Sequence, residues 1–563
     1  MVTNFICDNF GGIRQRTAQF TPKIITCSDM QNVELFYTGV NNGVGIRTAK
    51  GNKGLITIPN GERVVNQFQS IQNGNKYIFV HTIGQNYGTL YLYDISNNTL
   101  VPKISNLTKQ TVSSGVDYKQ GYDDCFVFCN KGDFLYKIQL NKSVTSYQVY
   151  YNDVIGYVST QKNAGEKVAS GTIIYSDVNL TIEYATSNGN DYIYSGYVDK
   201  EVSILSFKDA ENRDIKPNFI STRNSRIFGA ISNRLHACVQ QNIFDWASGD
   251  TEKPTSAFYI EFSKEITAIT PYLDSSLAIF FNDSSVLLSG EYPDLKTSEE
   301  SPGGCASYRS LIFHGTDLYF YDNTKKGIYS FQQIVLGNKT LGKDIAEEVN
   351  DYFNKIDTSR LEDLKAISYV ADDRNEIWFL LPTTDEKYSI ILIYDSLRNE
   401  WIKRKIHKVY SIEVLHNTLF SGGKKIYQEY INNDFDGEFI ENYYNCSPFN
   451  LGSNTSMKIL YLRPRMSVTF PYVNEFWVKY SKNFDSFKKP KIKKIKSKFK
   501  NYLIWGQGSY GVNYWASGKT SSILKLPNVS AFKTLAISFY TENSKENFAI
   551  RNMEMNQIDS IQT

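Results

Sequence analysis

The segment 375–401, NEIWFLLPTTDEKYSIILIYDSLRNEW, constrains the fold of this chain more than any other. It reads as a strand over Glu376–Leu381, a loop, a strand over Ser389–Tyr394, then Asp395, a short turn, and Trp401 opening a third strand. The same order appears far upstream in segment 75–100, NKYIFVHTIGQNYGTLYLYDISNNTL. In both copies the second strand ends in Tyr-Asp, and an apolar residue stands six positions after the Asp: Leu100 after Asp94, Trp401 after Asp395. The run Leu318–Tyr321 also ends in Tyr-Asp, at Asp322. A unit of antiparallel strands that recurs at blade-like intervals is the sequence signature of a β-propeller. That fold is a scaffold and names no function by itself.

Further strand pairs fill the intervals. Asp124–Cys129 and Phe134–Ile138 flank one turn, Arg226–Ser232 and Leu235–Val239 another, and Leu277–Phe281 and Val286–Ser289 a third. Val409–Val414, Thr418–Ser421 and Lys425–Tyr430 follow later. These are short alternating runs bounded by Asn, Asp, Gly and Ser, the form expected of hairpins. Aromatic residues make up 14% of the chain, with 40 Tyr and 34 Phe, which suits half-buried pleated strands.

Two stretches break the rhythm. Between residues 147 and 217 strand-like runs persist but their spacing changes, which predicts a small β-rich domain inserted into the propeller. In Asp344–Ile356 the apolar Ile345, Val349, Phe353 and Ile356 recur at helical spacing behind an acidic first turn, which predicts one substantial helix near 344–367. The turn-rich Asn432–Gly437 marks a boundary before fresh strand pattern. The expected class is therefore mainly β. Residues 1–146 would hold an N-terminal segment and the first blades, 147–217 the insert, 218–431 the remaining blades, and 432–563 a C-terminal, sandwich-like β domain.

The 61 basic and 58 acidic residues of the 563 nearly balance, at a formal charge of +3, so the whole molecule is not a basic nucleic-acid binder. No apolar run is long enough to span a membrane. The N-terminus lacks the pattern of a cleaved signal, and seven dispersed cysteines are expected to be free thiols made in a reducing cytoplasm.

Motifs that suggest chemistry are incomplete. Gly506–Gly511 matches G-x-G-x-x-G after a strand, but strand-like residues follow where a dinucleotide site needs a helix. Ser517-Gly518-Lys519-Thr520 ends like a phosphate loop, but Asn513 occupies the position of its first Gly. Asn432, Asp434, Asp436 and Gly437 imitate the start of a calcium loop whose twelfth position is Tyr443 instead of Glu. Cys125 and Cys129 lack zinc spacing, and the five His form no metal motif. No catalytic, cofactor or metal residue is expected, and the chain reads as no enzyme.

One charged strip stands out. Lys488, Lys489, Lys491, Lys493, Lys494, Lys496, Lys498 and Lys500 fall in thirteen residues without an acid. Such a strip either faces phosphates or an acidic partner, or forms a solvated edge on which lysines block unwanted strand pairing. Both readings stay open.

Asn9-Phe10-Gly11-Gly12-Ile13, Gln31–Leu35 and the glycine-flanked Gly43–Thr48 resemble, in order and spacing, the opening of the tail nozzle proteins of short-tailed bacteriophages, also called tail tubular protein B or packaged-DNA stabilisation proteins. Phe244-Asp245-Trp246 with Ile266–Ile269 is similar to the mid-propeller part of that family, Glu376–Trp401 to a late blade, and Asp434–Gly437 to the turn before its C-terminal domain. The resemblance implies a virion tail protein, synthesised in the host cytoplasm, that forms a homo-hexameric ring below the portal and adaptor, contacts other tail or fibre proteins, and lets genomic DNA pass. The alternative is a propeller adhesin that binds host glycan or protein.

Overall fold

The computed structural model describes residues 2–7, 9–15, 24–38, 43–120, 123–140, 147–151, 154–159, 163–176, 180, 182–193, 202–205, 207–247, 255–273, 276–336, 341–371, 374–448, 457–466, 475–482, 490–496, 524–525 and 535–559. The chain is mainly β, and among the described residues its strands form nine sheets.

The Tyr-Asp motif is a turn with a definite mechanism. The Asp94 carboxylate accepts from the backbone N–H of Ser96 (2.8 Å), that of Asp322 from Lys325 (2.8 Å), and that of Asp395 from Leu397 (3.1 Å). Four residues after each Asp the backbone enters the left-handed region, at Asn98 (φ 52°), Lys326 (φ 53°) and Asn399 (φ 54°). Asn tolerates that conformation better than most residues. The hydroxyls of Tyr93 and Tyr394 donate to the Asn98 and Asn399 side chains at 3.0 and 2.9 Å. The turn thus fixes register: Tyr93 pairs with Leu100, Tyr321 with Ile328 and Tyr394 with Trp401.

Seven small antiparallel sheets follow one another along the chain. Their first strands are Arg63–Gln72, Ser113–Gln120, Phe219–Arg223, Ala268–Tyr272, Ile312–His314, Lys365–Ala371 and Val409–Leu415. Successive first strands pack together except between the fourth and fifth sheets, and Val409–Leu415 returns to pack on Arg63–Gln72. Between the fourth and fifth sheets the contact is made by Ala268, Tyr272 and Phe280 with Leu318 and Phe320. The apolar clusters lie between neighbouring sheets. Phe79 stacks on Phe126 between the first and second, and Ile220 and Ile227 meet Val127 and Leu135 between the second and third.

The seventh sheet is completed by a strand from the other end of the chain. Asn52–Thr57 pairs antiparallel with Lys425–Glu429. Beneath this joint the buried Arg404 donates to the Lys50 carbonyl (2.8 Å) and to Glu429 (2.7 Å), while Asn52 and Ser421 donate to the same carboxylate at 3.0 and 2.6 Å.

The chain ends share one twelve-stranded sheet. Ile24–Gln31 lies between Asn9–Ile13 and Tyr443–Cys446, and Ala549–Asp559 pairs with Val2–Cys7, Val44–Thr48 and Met457–Met466. Strands within residues 2–48 therefore belong with those beyond 442. The expected units 1–146 and 432–563 thus share one sheet; partners hundreds of residues distant leave no local pattern. The sheet rests on Glu400–His407, where Asp29 accepts from Lys403 (2.6 Å), Tyr352 (2.5 Å) and Tyr443 (2.7 Å), and Arg14 pairs with Glu400 (2.7 Å).

A five-stranded sheet spanning Tyr147–Tyr151 to Tyr192–Ile193 is inserted between the third and fourth strands of the second sheet. Val202–Leu205, inside the segment 147–217, returns to pair with Leu135–Ile138. The expected helix near 344–367 is a further correction. That stretch forms a 3-10 turn at Glu347–Val349, a four-residue α-turn at Asn350–Phe353 and a 3-10 stretch at Thr358–Asp363. Val349, Phe353 and Ile356 are buried as their spacing predicts, but Asn350, Asp351 and Asn354 are weak helix formers and the backbone breaks at Val349 and Arg360.

Candidate functional site

Where first strands of the sheets meet they line a half-open cavity of about 310 Å³. Six of the seven sheets contribute to its wall, including Asn66 and Gln67, Ser113 and Ser114, Thr270, Tyr308 and Arg309 (just ahead of Ile312–His314), Lys365, and Glu413. A strand buried on both faces is ordinarily apolar, so charge on these strands is unusual.

Lys365 is 6% exposed; its ammonium donates to Asn66 Oδ1 (2.6 Å) and pairs with Glu413. Asn66 in turn donates to the Ser113 carbonyl (2.9 Å), and the Ser113 hydroxyl lies 2.9 Å from His81 Nδ1. Arg309 is 5% exposed; its Nη2 donates to the carbonyls of Val65 (2.8 Å) and Tyr410 (2.6 Å), and its Nη1 lies 3.7 Å from Asp363. Arg309 and Tyr308 also line a second cavity of about 190 Å³ with Lys131, Glu265 and Glu362, so this pair lies along both spaces.

Burial dominates the electrostatics. It lowers the pKa of Lys365, against the pull of Glu413, and that of Arg309, against Asp363 and Glu413. His81 is pushed down to about 3, first by burial and then by Arg309, so its ring is neutral. Glu413 is the one carboxylate among the described residues lining the larger cavity, and it is held by Lys365.

The lysine strip lies elsewhere. Lys491–Lys496 is an edge strand of the twelve-stranded sheet, paired among the described residues with Glu475–Lys482. Lys491 and Lys493 are exposed. Lys494 sits between Glu475 (2.8 Å) and Glu546 (2.6 Å), its ammonium 5.1 Å from the centre of the Trp477 ring. Hydrogen bonds to those two carboxylates raise its pKa. The backbone of Lys496 pairs with Glu475, while Lys488, Lys489, Lys498 and Lys500 lie outside the described residues.

Gly506–Gly511 and Ser517–Thr520 also lie outside the described residues. In the calcium-like turn, Asp436 accepts from the Gly54 amide (3.0 Å) and Lys425 (2.6 Å), which fastens the added strand of the seventh sheet. Among the described residues no three His, Cys, Asp or Glu side chains are grouped as metal ligands would be. All seven cysteines are buried free thiols; Cys125 donates to the Tyr118 carbonyl and Cys129 to that of Pro217.

The cavity residues escaped the sequence reading because Asn66, Arg309, Lys365 and Glu413 are spread over about 350 positions and form no motif. The available signal was a charged residue at or beside the first strand of three repeated units, Arg309, Lys365 and Glu413.

No protein-family model and no curated protein matches the chain. Among solved structures it is similar to an exo-β-1,3-galactanase from Phanerochaete chrysosporium with galactose, at 9% identity and a TM-score of 0.23 over 62% of this chain and 99% of that one. The same enzyme with β-1,3-galactotriose matches at 8% identity and a TM-score of 0.23, over 62% and 98%. The expectation that the chain is no enzyme is corrected on this finding, since these two structures are of an enzyme. At this similarity they assign neither a reaction nor a site here.

Proposed function

We propose that the seven small sheets are blades of a β-propeller and that the chain is a structural subunit of a short bacteriophage tail. In this reading it is a nozzle or tube protein, six copies of which surround the genome-exit channel below the portal and adaptor. The observation that carries this reading is the locking of both chain ends into one body. Asn52–Thr57 completes the seventh sheet, and strands from residues 2–48 interleave with strands from 443–559. A wall element that conducts DNA works under load, and among the described residues the first strand, Val2–Cys7, and the last, Ala549–Asp559, are paired with each other. The order of sequence features shared with nozzle proteins supports the same reading.

DNA would pass between copies and not through the propeller. A cavity of about 310 Å³ is far too small for a duplex whose major groove alone is about 12 Å wide. A ring requires a heterologous contact repeated about one axis. The isolated chain is expected to sediment as a monomer, and cross-linking of intact particles should give a ladder ending at six copies. Stable dimers in isolation and no ladder from particles would contradict the proposal.

A second reading, an adhesin that binds host glycan or protein, is favoured by the inserted sheet. Ile173, Tyr184 and Tyr192 are 40%, 41% and 47% exposed there, and aromatic side chains are common contact residues. Specific binding of the isolated chain to host cell envelopes, lost in Tyr184→Ser with Tyr192→Ser, would support it over the tail reading.

A further inference from the structure

We propose that the cavity where the first strands meet binds a small phosphate-type oxyanion, held between Arg309 and Lys365. The inference does not rest on the tail reading.

The geometry supplies more donors than acceptors. A guanidinium has five N–H donors. Arg309 uses Nη2 for two backbone carbonyls, while its buried Nε and Nη1 have no hydrogen-bond acceptor; Asp363 stands 3.7 Å away. An ammonium has three donors, and Lys365 has two partners, Asn66 and Glu413. Two cations therefore share a wall with one carboxylate. Leaving donors of a charged group unmatched in a buried site is unfavourable. Burial already disfavours the charge on both side chains, and a bound anion would reverse that.

Water would fill the space but would not balance the charge. The volume corresponds to about ten waters at roughly 30 Å³ each, enough for one phosphate group with a few waters or a short organic chain. A planar fork from the turn Tyr308–Ser310 and a point charge from the strand Lys365–Ala371 suit an anion with several oxygens. The free ion and a small phosphomonoester share this chemistry, and the experiment separates them.

The test is calorimetry and thermal unfolding of the full chain with sodium phosphate or glycerol 3-phosphate, at ionic strength fixed with sodium chloride. A saturable one-site isotherm and a matching rise in Tm are expected with at least one ligand. Tighter binding of glycerol 3-phosphate would assign the site to phosphate esters, and tighter binding of phosphate to the free ion. Arg309→Gln should weaken binding about tenfold or more, and Glu413→Gln, which removes the carboxylate from the wall, should tighten it about tenfold. No saturable binding by either ligand would overturn the proposal, as would unchanged affinity in Glu413→Gln. If Arg309→Gln does not fold, Glu413→Gln decides alone.

Discussion

His81 is fully buried behind the cavity, against Ser113, and burial together with Arg309 pushes its pKa down to about 3. In the unfolded chain an imidazole titrates near 6.5. The folded state therefore gives up a proton that the unfolded state holds, and stability present above pH 6.5 is lost as the pH falls toward 3. Between pH 7 and 5 this one group should remove about 2 kcal/mol of stability. His236 and His314 are shifted down as well, by burial, so His81→Gln should flatten only part of the slope. Urea unfolding at pH 7 and 5 checks this; equal slopes in wild type and variant would contradict the assignment. At Arg404 the outcome has the opposite logic, since the pair with Glu429 is buried on both sides. Removing one partner strands a buried charge, so Glu429→Ala should cost about 3 kcal/mol or more in the same assay. A loss below about 1 kcal/mol would show that the joint does not depend on this pair.

At the scale of elements, Asn52–Thr57 is the strand on which closure of the seventh sheet depends. Gly51 precedes it, and a Cβ there would lie 1.8 Å from the Asp434 carbonyl oxygen. Gly51→Ala should therefore speed hydrogen exchange in Asn52–Thr57 and Lys425–Glu429 while leaving Arg226–Ile231 as protected as before. Equal acceleration everywhere, or none, would refute a local clasp. On the lysine strand, Lys491→Glu with Lys493→Glu should leave Tm unchanged because both side chains are exposed. Lys494→Glu should lower Tm by placing a third carboxylate beside Glu475 and Glu546. What could be read from sequence follows the same division between local and distant partners. The Tyr-Asp hairpins are legible because Asp94, Asp322 and Asp395 make their turn bonds within three residues, although Asp322 also accepts from the distant Gly304 amide. The Asn98 and Asn399 positions, which complete those turns, stand in the same windows. Pairing of Val2–Cys7 with Ala549–Asp559 has no local trace, and neither has the gathering of Asn66, Arg309, Lys365 and Glu413. The apolar spacing after Asp344 was real, but it reports which side chains are buried and not whether the turns join into one helix.

The whole molecule joins a circuit of seven sheets, an inserted sheet, and a twelve-stranded sheet made from strands near both chain ends. We propose that copies of this body form the wall of a DNA channel. A wall that must release DNA quickly cannot grip it with dense lysine, because each phosphate contact adds salt-dependent affinity and the contacts multiply around a ring. The exposed Lys491 and Lys493 should therefore face solvent or a neighbouring protein and not the lumen. The most direct measurement is cryo-electron microscopy of the assembled particle that carries this chain. The account predicts six copies around the exit channel beneath the portal and adaptor, with the propeller axes outside the lumen and the Lys491–Lys496 strands turned away from DNA. Copies confined to fibre tips, no ring of copies around the channel, or a lumen lined by that strand would contradict it.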